Sequence, residues 1–362
     1  MLGEFKNFTL QMVAGANVAT VTMLLLTGFA DYVNPVEHPV LAQAGLAFPI
    51  FLLLNTGFFV FWLLFGLRQV LIPIAGFLLC CVPIRTYFPL NVPHSAPATA
   101  IKVLSYNVLG FNPIEGSQPG SNAIMDYIAK SGADIVCVQE ANLWGDHQTY
   151  SDSVLAPIYA YCDTMLVPNG DCIGIYSKFP IVGKERINYD SKTNLSGAYR
   201  LKIEGDTVIV VNNHFESNGL THDEKENFKE MVKGEMNGKQ MKVESKRLID
   251  KLAETSKRRA PEVDAVARYI ARHEGESIIL CGDFNDNPIS YTRRVIVDKL
   301  TDCYVATANG PGISYHLSGF YVRIDNIMCT PDWKPYGCTV DSKVKSSDHY
   351  PIYCWLQKQR KH

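Results

Sequence analysis

The chain lacks a strong charge of either sign. Its 362 residues include 34 lysines and arginines against 36 aspartates and glutamates, which gives a formal net charge of -2. A balance this close to neutrality excludes a strong general attraction to polyanions. The sequence also lacks internal repeats, low-complexity tracts and any Cys-x-x-Cys or Cys/His spacing. We therefore expect no zinc site.

Charged residues are almost absent before Ile101, where the sequence is apolar instead. Three segments stand out: Phe8–Ala30, Leu46–Leu67 and Val70–Ile84. The second is uncharged and long enough to cross a bilayer, and the first is long enough although it contains Gln11 and Asn17. The third is shorter and contains two prolines. A secretory signal peptide would explain one such segment but not three. We therefore predict a membrane anchor with about three transmembrane helices in residues 1–90, followed by a linker in residues 91–100.

The few basic residues of this region bear on its orientation. Lys6 precedes the first segment and Arg68 lies between the second and third, whereas the loop Asp31–Pro39 has no lysine or arginine. Because cytoplasmic loops are enriched in basic residues, the amino terminus and the second loop are expected in the cytoplasm. Three crossings would then place the remaining chain on the outer side, periplasmic or extracellular. If the third segment does not cross, that part of the chain is cytoplasmic.

Short apolar runs recur in residues 101–362. They are Val103–Val108, Ile135–Val138, Ile173–Tyr176, Val208–Val211, Ile278–Cys281, Ile324–Met328 and Ile352–Leu356. Several are continuous rather than alternating, as expected of strands that are covered on both faces. Helical patterns lie between them, including a helix that Ser121 or Asn122 can cap and an apolar stripe that begins at Val263. This pattern predicts a domain of buried strands and helices.

The ten cysteines leave the redox compartment open. Cys137, Cys281 and Cys354 lie in apolar runs and are interpreted as buried hydrophobic residues. Disulfides in an oxidising space remain an alternative for Cys162 with Cys172, or among Cys303, Cys329 and Cys338.

Polar residues follow the apolar run Ile278–Cys281. Asp283 and Asn285 come directly after it, two residues apart and before a proline. If the backbone stays extended, residues two apart point to the same side, so both side chains would converge at the end of the sheet, where α/β proteins bind ligands. The alternative is an ordinary turn, because Gly, Asp, Asn and Pro are common turn residues.

Further polar residues stand at the ends of other apolar runs. They are Asn107, Glu140, His214, Asp325, Asp348 and His349. Each has an ordinary explanation when taken alone, such as a core histidine at position 214 or an ion pair between Asp325 and Arg323. Together they suit the attack of water on a phosphate ester. Glu140, assisted by Asn107, offers oxygen ligands to Mg²⁺, with Mn²⁺ as an alternative. The histidines can stabilise phosphoryl charge or act as acid and base.

The order of these motifs resembles that of the endonuclease/exonuclease/phosphatase superfamily. The matching motifs are Tyr106-Asn107, Gln139-Glu140, Gly282-Asp283-Phe284-Asn285, Arg323-Ile324-Asp325 and Ser347-Asp348-His349. The resemblance covers about residues 102–356 and none of the membrane segments. It implies an α/β fold in residues 101–362, a four-layer sandwich of two mixed β-sheets flanked by helices, with a divalent-metal site at one edge.

The resemblance also implies a role for each site residue. Glu140 would be the principal metal ligand, with Asn107 and Asp348 near the metal. Asp283 would position the attacking water, and Asn285 and His214 would contact the phosphate. His349, paired with Asp325, would be the acid/base group. No carboxylate partner for His214 is evident from the sequence.

The expected function is therefore hydrolysis of a phosphodiester by a membrane-anchored, metal-dependent enzyme. Its substrate would be a nucleic acid or a lipid head group, and the bilayer itself is an expected partner. No protein partner can be inferred. The alternatives are a phosphomonoesterase, or a catalytically silent member of the fold that acts as a membrane-tethered scaffold.

Overall fold

The computed structural model describes residues 2–118, 120–168, 170–191 and 193–359, with side chains from residue 7 onward. The side chain of Lys6, which contributes to the predicted orientation, and residues 360–362 of the predicted catalytic domain lie outside the described part of the chain.

The N-terminal region is helical. It contains α1 (Leu2–Gly28), α2 (Pro39–Ala42), α3 (Phe48–Phe65), α4 (Leu71–Leu79) and α5 (Cys81–Tyr87). Within the described residues, two stretches are long and apolar enough to cross a membrane, Asn7–Tyr32 and Pro39–Phe65. The prediction of a third transmembrane helix is wrong, because the chain breaks at Cys80 into two short helices. Pro83 explains the break, since a continuous helix would lose a hydrogen bond there and force its ring against the preceding turn.

Buried polar side chains connect these helices. Trp62 Nε1 donates to Asn17 Oδ1 at 3.0 Å, and Asn55 Nδ2 donates to the carbonyl oxygen of Pro73 at 3.0 Å. The outer faces are apolar instead, with Leu53 73% and Leu64 72% exposed. Polar groups that face inward and large apolar side chains that face outward are typical of helices in contact with lipid.

The rest of the chain forms two six-stranded sheets. The strands are β1 (Ile101–Asn107), β2 (Ile135–Gln139), β3 (Tyr161–Leu166), β4 (Cys172–Ser177), β5 (Ile181–Ile187), β6 (Leu195–Ile203), β7 (Asp206–His214), β8 (Ser277–Asp283), β9 (Thr301–Asp302), β10 (Asp325–Cys329), β11 (Trp333–Val340) and β12 (Ile352–Lys358). The first sheet has the order β11-β12-β1-β2-β4-β3 and the second β5-β6-β7-β8-β10-β9. The pairs β1/β2 and β7/β8 are parallel, so both sheets are mixed, as predicted.

The helices of this region are α6 (Ala123–Lys130), α7 (Asp146–Val154), α8 (His222–Lys233), α9 (Gly238–Arg272), α10 (Tyr291–Val297) and α11 (Cys303–Thr307). α6 and α7 cover the outer face of the first sheet and α9 and α10 that of the second, whereas α8 packs on α9 and α11 packs on β11. Between the sheets lies a core that includes Val103, Val210 and Ile279. A second core joins β7 and β8 to α9, and a third joins β1 and β2 to α6. The predicted four-layer α/β sandwich is confirmed.

The structure also tests the predicted helix cap and the predicted disulfide alternatives. The Asn122 side chain accepts from the backbone N–H groups of Ile124 and Met125, so it caps α6 as one of the two predicted candidates. The ten cysteines are all free, and Cys303 Sγ lies 3.7 Å from Cys329 Sγ. The disulfide alternatives are therefore not formed in this structure.

A polar bridge crosses the otherwise apolar interface between the sheets. Gln139 Nε2 donates to Asn212 Oδ1 at 2.7 Å, and Asn212 Nδ2 donates to the carbonyl oxygens of Val138 and Gly174 at 3.0 and 2.9 Å. Gln139 and Asn212 are fully buried. The bridge therefore ties the end of β2 to the end of β7.

Residues 29–47, here called the interhelical segment, connect α1 to α3 and pack on the sandwich. The guanidinium carbon of Arg294 in α10 lies 3.6 Å from the ring centroid of Tyr32. Ile289 shares a buried cluster with Leu24 and Phe48. Farther along, Asn91, the first residue of the predicted linker, donates through Nδ2 to the carbonyl oxygen of Ala308 at 2.6 Å. The helical region and the sandwich are thus in direct contact.

Candidate active site

Strand register brings the polar strand-end residues together at one edge of the sandwich. In the second sheet, His214 is paired with Asp283 across β7 and β8, and Asp325 is paired with Asp283 across β10 and β8. In the first sheet, Asn107 is paired with Gln139, so Glu140 follows at the matching edge. The ends of the two parallel pairs therefore supply Asn107, Glu140, His214 and Asp283, whereas Asp325 begins the antiparallel strand β10 and His349 precedes β12.

Two of these residues lie in left-handed backbone conformations. Glu140 has φ 54° and Asn285 has φ 51°, a region that costs free energy for residues other than glycine. The prediction of an extended backbone after Asp283 is wrong, because the Asn285 N–H folds back and donates to Asp283 Oδ1 at 2.8 Å. The ordinary turn explanation thus describes the backbone, yet Asp283 and Asn285 still line the same cleft.

Asp283 lies at the centre of the site and is 1% exposed. Its Oδ2 accepts from Asn107 Nδ2 at 3.2 Å and lies 3.7 Å from His214 Nε2 and 3.6 Å from His349 Nε2. Burial raises the pKa of Asp283 above its ordinary value, although the two histidines oppose the rise. A carboxylate held between two imidazoles can orient a water molecule and take a proton from it.

His349 forms a buried dyad with Asp325. His349 Nδ1 donates to Asp325 Oδ2 at 2.8 Å, which leaves Nε2 facing Asp283. Burial alone would lower the pKa of His349, but the carboxylates of Asp325 and Asp283 outweigh it and raise the pKa well above 6.5. Arg323 is not the partner of Asp325, since its guanidinium donates to the carbonyl oxygens of Pro311 and Thr86. The ion-pair explanation of Asp325 is therefore wrong.

His214 has a carboxylate partner that the sequence did not reveal. His214 Nδ1 donates to Asp171 Oδ2 at 2.5 Å, and Asp171 Oδ1 in turn accepts from the Cys172 N–H at 2.7 Å. Burial would lower the pKa of His214, but Asp171 above all raises it to about 10. The sequence feature that could have identified this partner is an aspartate directly before the apolar strand β4. Both histidines are thus oriented by a carboxylate on Nδ1 and present Nε2 to the same space.

Glu140 and Asp348 are partly exposed carboxylates of the cleft. Both line the cleft, and the side chain of Glu140 is 37% exposed. Glu140 Oε1 accepts from Asn107 Nδ2 at 3.0 Å, while Asn107 Oδ1 accepts from the Leu109 N–H. Asn107 therefore turns its amide nitrogen toward Glu140 and orients that carboxylate.

The composition of the site also fits a hard cation. Its carboxylates outnumber its histidines, so the site keeps a negative charge even when both histidines are protonated. Asp283, Asp325 and His349 also have ligand-type atoms within 4.8 Å of one another. His349 and Asp325 already form a hydrogen bond with each other, whereas the side chains of Glu140 and Asp348 remain partly exposed.

α9 holds the loops of the site in place. Arg259 is 1% exposed, and its NH1 lies 3.1 Å from Asp286 Oδ2 in the loop after β8. Its Nε donates to the carbonyl oxygen of Glu216 at 2.8 Å, in the loop after β7. One buried side chain thus fastens the loops that follow His214 and Asp283.

The cleft above these residues has a volume of about 250 Å³. Its polar floor consists of Glu140, His214, Asp283, Asn285, Asp348 and His349. Its walls include Lys225 from α8 and Tyr315, whose hydroxyl accepts from Lys225 Nζ at 2.8 Å. Gln43 and Leu46 of the interhelical segment also line it. The cleft is open to solvent, so a ligand can reach the residues of the floor.

Comparison with known proteins identifies the family and supports the fold. The sequence profile of the Endonuclease/Exonuclease/phosphatase family matches residues 104–349, and that of a domain of unknown function, DUF8431, matches residues 10–87. No curated protein matches the chain. Among solved structures, the human Nocturnin catalytic domain with bound sulfate anion is similar at 16% identity and a TM-score of 0.51, covering 73% of this chain and 97% of its own. An endonuclease/exonuclease/phosphatase from Beutenbergia cavernae DSM 12333 is similar at 16% identity and a TM-score of 0.50, covering 72% of each chain. The protein belongs to the endonuclease/exonuclease/phosphatase family.

Proposed function

We propose that the protein is a membrane-anchored, divalent-metal-dependent phosphodiesterase that hydrolyses its substrate by direct attack of water. The observation that carries the proposal is the position of Asp283. Its Oδ2 lies within 3.7 Å of the Nε2 atoms of two histidines, each held by a second carboxylate, and it is bonded to the asparagine that also holds Glu140. This arrangement supplies a base, two cationic donors and a metal-binding carboxylate to one small space.

The chain's own residues divide the reaction between them. Asp283 orients the attacking water and accepts its proton, and the neighbouring imidazoles stabilise the charge that develops on the phosphoryl oxygens. Nδ2 of Asn285 already donates to the Phe215 carbonyl oxygen at 3.0 Å and keeps a second hydrogen for the phosphate. His349, oriented by Asp325, donates a proton from Nε2 to the leaving oxygen.

Glu140 and Asp348 would hold the metal ion, and Asn107 would keep Glu140 in position. When bound, Mg²⁺ or Mn²⁺ would withdraw charge from the phosphoryl oxygens as a Lewis acid. The partly exposed Glu140 carboxylate leaves room for water and a phosphate oxygen beside it.

The outward-facing apolar side chains of α1 and α3 support the membrane anchor. α5 and the interhelical segment both contact the sandwich, so they lie on the same side of the bundle. Arg68 lies in the loop between α3 and α4. The enrichment of basic residues on the cytoplasmic side favours placing this loop in the cytoplasm and the sandwich on the outer side. No third continuous helix crosses among the described residues, so in this arrangement the two short helices α4 and α5 together return the chain from the loop to the side of the sandwich.

The test is Mg²⁺-dependent hydrolysis by the full chain in lipid nanodiscs. The substrates are single- and double-stranded DNA, RNA, sphingomyelin, phosphatidylinositol phosphates, a chromogenic phosphodiester and a chromogenic phosphomonoester. Asp283→Asn is the blank, and His349→Ala should lower turnover by about a hundredfold or more with folding intact. Cleavage of a diester that chelation abolishes is the expected result. A folded, metal-loaded protein that is inactive on every diester would overturn the proposal, and cleavage of the monoester alone would identify a phosphomonoesterase.

A further inference from the structure

Part of the active-site cleft comes from the helical region rather than from the sandwich. Gln43 and Leu46 lie in a 3-10 helix, Gln43–Ala47, at the end of the interhelical segment. Leu46 is 43% exposed and lies in the cleft wall. The sandwich alone therefore does not complete the walls of the cleft.

The interhelical segment is docked closely against a loop of the site. A Cβ at Gly45 would lie closer than 3.0 Å to the carbonyl oxygen of Ile289 and 3.3 Å from Asn287 Oδ1. Asn287 follows Asn285 by two residues, and its Oδ1 accepts from the Ile289 N–H at 2.9 Å. The backbone contact holds Leu46 at a fixed position relative to the polar floor.

One part of the cleft wall is apolar, in contrast to the polar floor. Leu46 faces the same cavity as Leu220, Phe320 and Val322. Among the described residues that line the cleft, Lys225 is the one lysine or arginine, and it donates to Tyr315. A nucleic-acid backbone is bound through several cationic contacts. A substrate with one phosphate group on the floor and an apolar group along the wall suits this cleft better than a nucleic acid does.

The location of Leu46 indicates where such an apolar group comes from. Leu46 precedes Phe48, the first residue of α3, by two positions. Large apolar side chains on the neighbouring helical surface are exposed, among them Ile50 at 60% and Leu53 at 73%. The cleft wall therefore continues into the surface that would meet the bilayer, and an acyl chain can follow this surface into the cleft.

We propose that the interhelical segment is a substrate-binding element that holds the apolar chain of a lipid phosphodiester while the phosphate lies over Asp283. This inference rests on the proposed phosphodiesterase activity and assigns its substrate to amphiphilic lipid phosphodiesters. Leu46 is the residue that contacts the chain, and it takes no part in the chemistry of the phosphate.

The test compares two diesters with the same leaving group. Methyl 4-nitrophenyl phosphate carries no apolar chain, and octyl 4-nitrophenyl phosphate carries one. The full-length protein in nanodiscs should hydrolyse the octyl diester with a kcat/KM at least about tenfold higher, because each buried methylene favours binding by several-fold. Leu46→Asp should remove this preference, so that kcat/KM for the octyl diester falls to about that for the methyl diester measured on the same variant.

Two further variants control for the effect of an added charge and for unfolding. Leu41→Asp adds the same charge at an exposed position of the same segment outside the cleft lining, and should keep the preference. Leu46→Ala should reduce the preference partly, which covers the case that Leu46→Asp unfolds.

The outcomes separate the two proposals. Absence of methyl diester hydrolysis at saturating Mg²⁺ would overturn the proposed function itself. Hydrolysis with equal kcat/KM for both diesters would overturn the lipid inference alone. Equal losses in the Leu41 and Leu46 variants would overturn it too, as would a preference for a single-stranded oligonucleotide over the octyl diester.

Discussion

Asp171→Asn tests whether His214 depends on its carboxylate partner. In the structure Asp171 Oδ2 accepts from His214 Nδ1 at 2.5 Å, and Asp171 Oδ1 is held by the Cys172 N–H. The side chains of His214 and Asp171 are only 5% and 8% exposed, so solvent screens the pair little. The asparagine has nearly the same shape but carries no charge. The variant therefore removes the charge beside His214 and leaves the packing in place.

The expected loss of kcat/KM in Asp171→Asn follows from the type of hydrogen bond that the variant weakens. A hydrogen bond to a charged group contributes about 1.5–3 kcal/mol. If this stabilisation acts in the transition state, its loss lowers kcat/KM by about 10- to 150-fold. Because Asp171 acts through His214, Asp171→Asn combined with His214→Ala should cost no more than His214→Ala alone.

The assay is hydrolysis of methyl 4-nitrophenyl phosphate, with thermal unfolding measured on the same samples. Asp163→Asn is the matched control, since Asp163 pairs with Lys184 at a more exposed position of the neighbouring strand and should be neutral. Activity of Asp171→Asn within about twofold of wild type would refute the dependence of His214 on Asp171. Independent, additive losses in the double variant would refute the shared role.

Three further predictions concern the metal, the docking of the interhelical segment and pH. Glu140→Gln should raise the Mg²⁺ concentration needed for half-maximal activity about tenfold or more, and an unchanged Mg²⁺ titration would remove Glu140 from the metal site. Gly45→Ala should destabilise the protein by about 1–3 kcal/mol because the added Cβ overlaps the Ile289 carbonyl. The control is Gly57→Ala, whose added Cβ meets nothing within 4 Å and should not destabilise the protein. Equal unfolding temperatures of the two variants would contradict the close docking of the interhelical segment. Burial raises the pKa of Glu262 from 4.5 to about 7. The folded protein therefore favours the protonated carboxyl group, whose contribution to stability is complete below pH 4.5 and is lost as the pH rises through 7. Glu262→Gln should remove that loss, so that chemical unfolding at pH 8 shows the variant to be about 1–3 kcal/mol more stable than wild type. The same pH dependence of stability in wild type and variant would show that Glu262 does not cause it.

The sequence predicted the strands that are buried on both faces. Each continuous apolar run became a strand, as in β1 and β8, and the polar residues at the ends of these runs meet at one edge. The edge strands β3, β5 and β11 gave no such signal because one side of each faces solvent, and most residues of β5 are not buried. β6 is central but was missed as well. It contains Gly197, against which Met165 packs too closely for a side chain.

The contacts that depend on tertiary structure could not be predicted. Asp171 precedes its strand instead of following it, and its pairing with His214 requires the first sheet to face the second in a particular alignment. The role of Leu46 in the cleft also depends on how the helical region packs on the sandwich. Hydrophobic patterns report whether a residue is buried, but they do not report against which element it is buried.

The Gln139–Asn212 bridge has a consequence for how this protein can diversify. Gln139 directly precedes Glu140, and Asn212 precedes His214 by two residues, so the bridge fixes the distance between side chains that come from different sheets. Sliding of the sheets would break buried hydrogen bonds that no water can replace. Residues of the cleft wall, such as Leu46 and Phe320, lie outside this bridge. Their replacement over evolutionary time can therefore alter which substrate enters without changing the spacing on which hydrolysis depends.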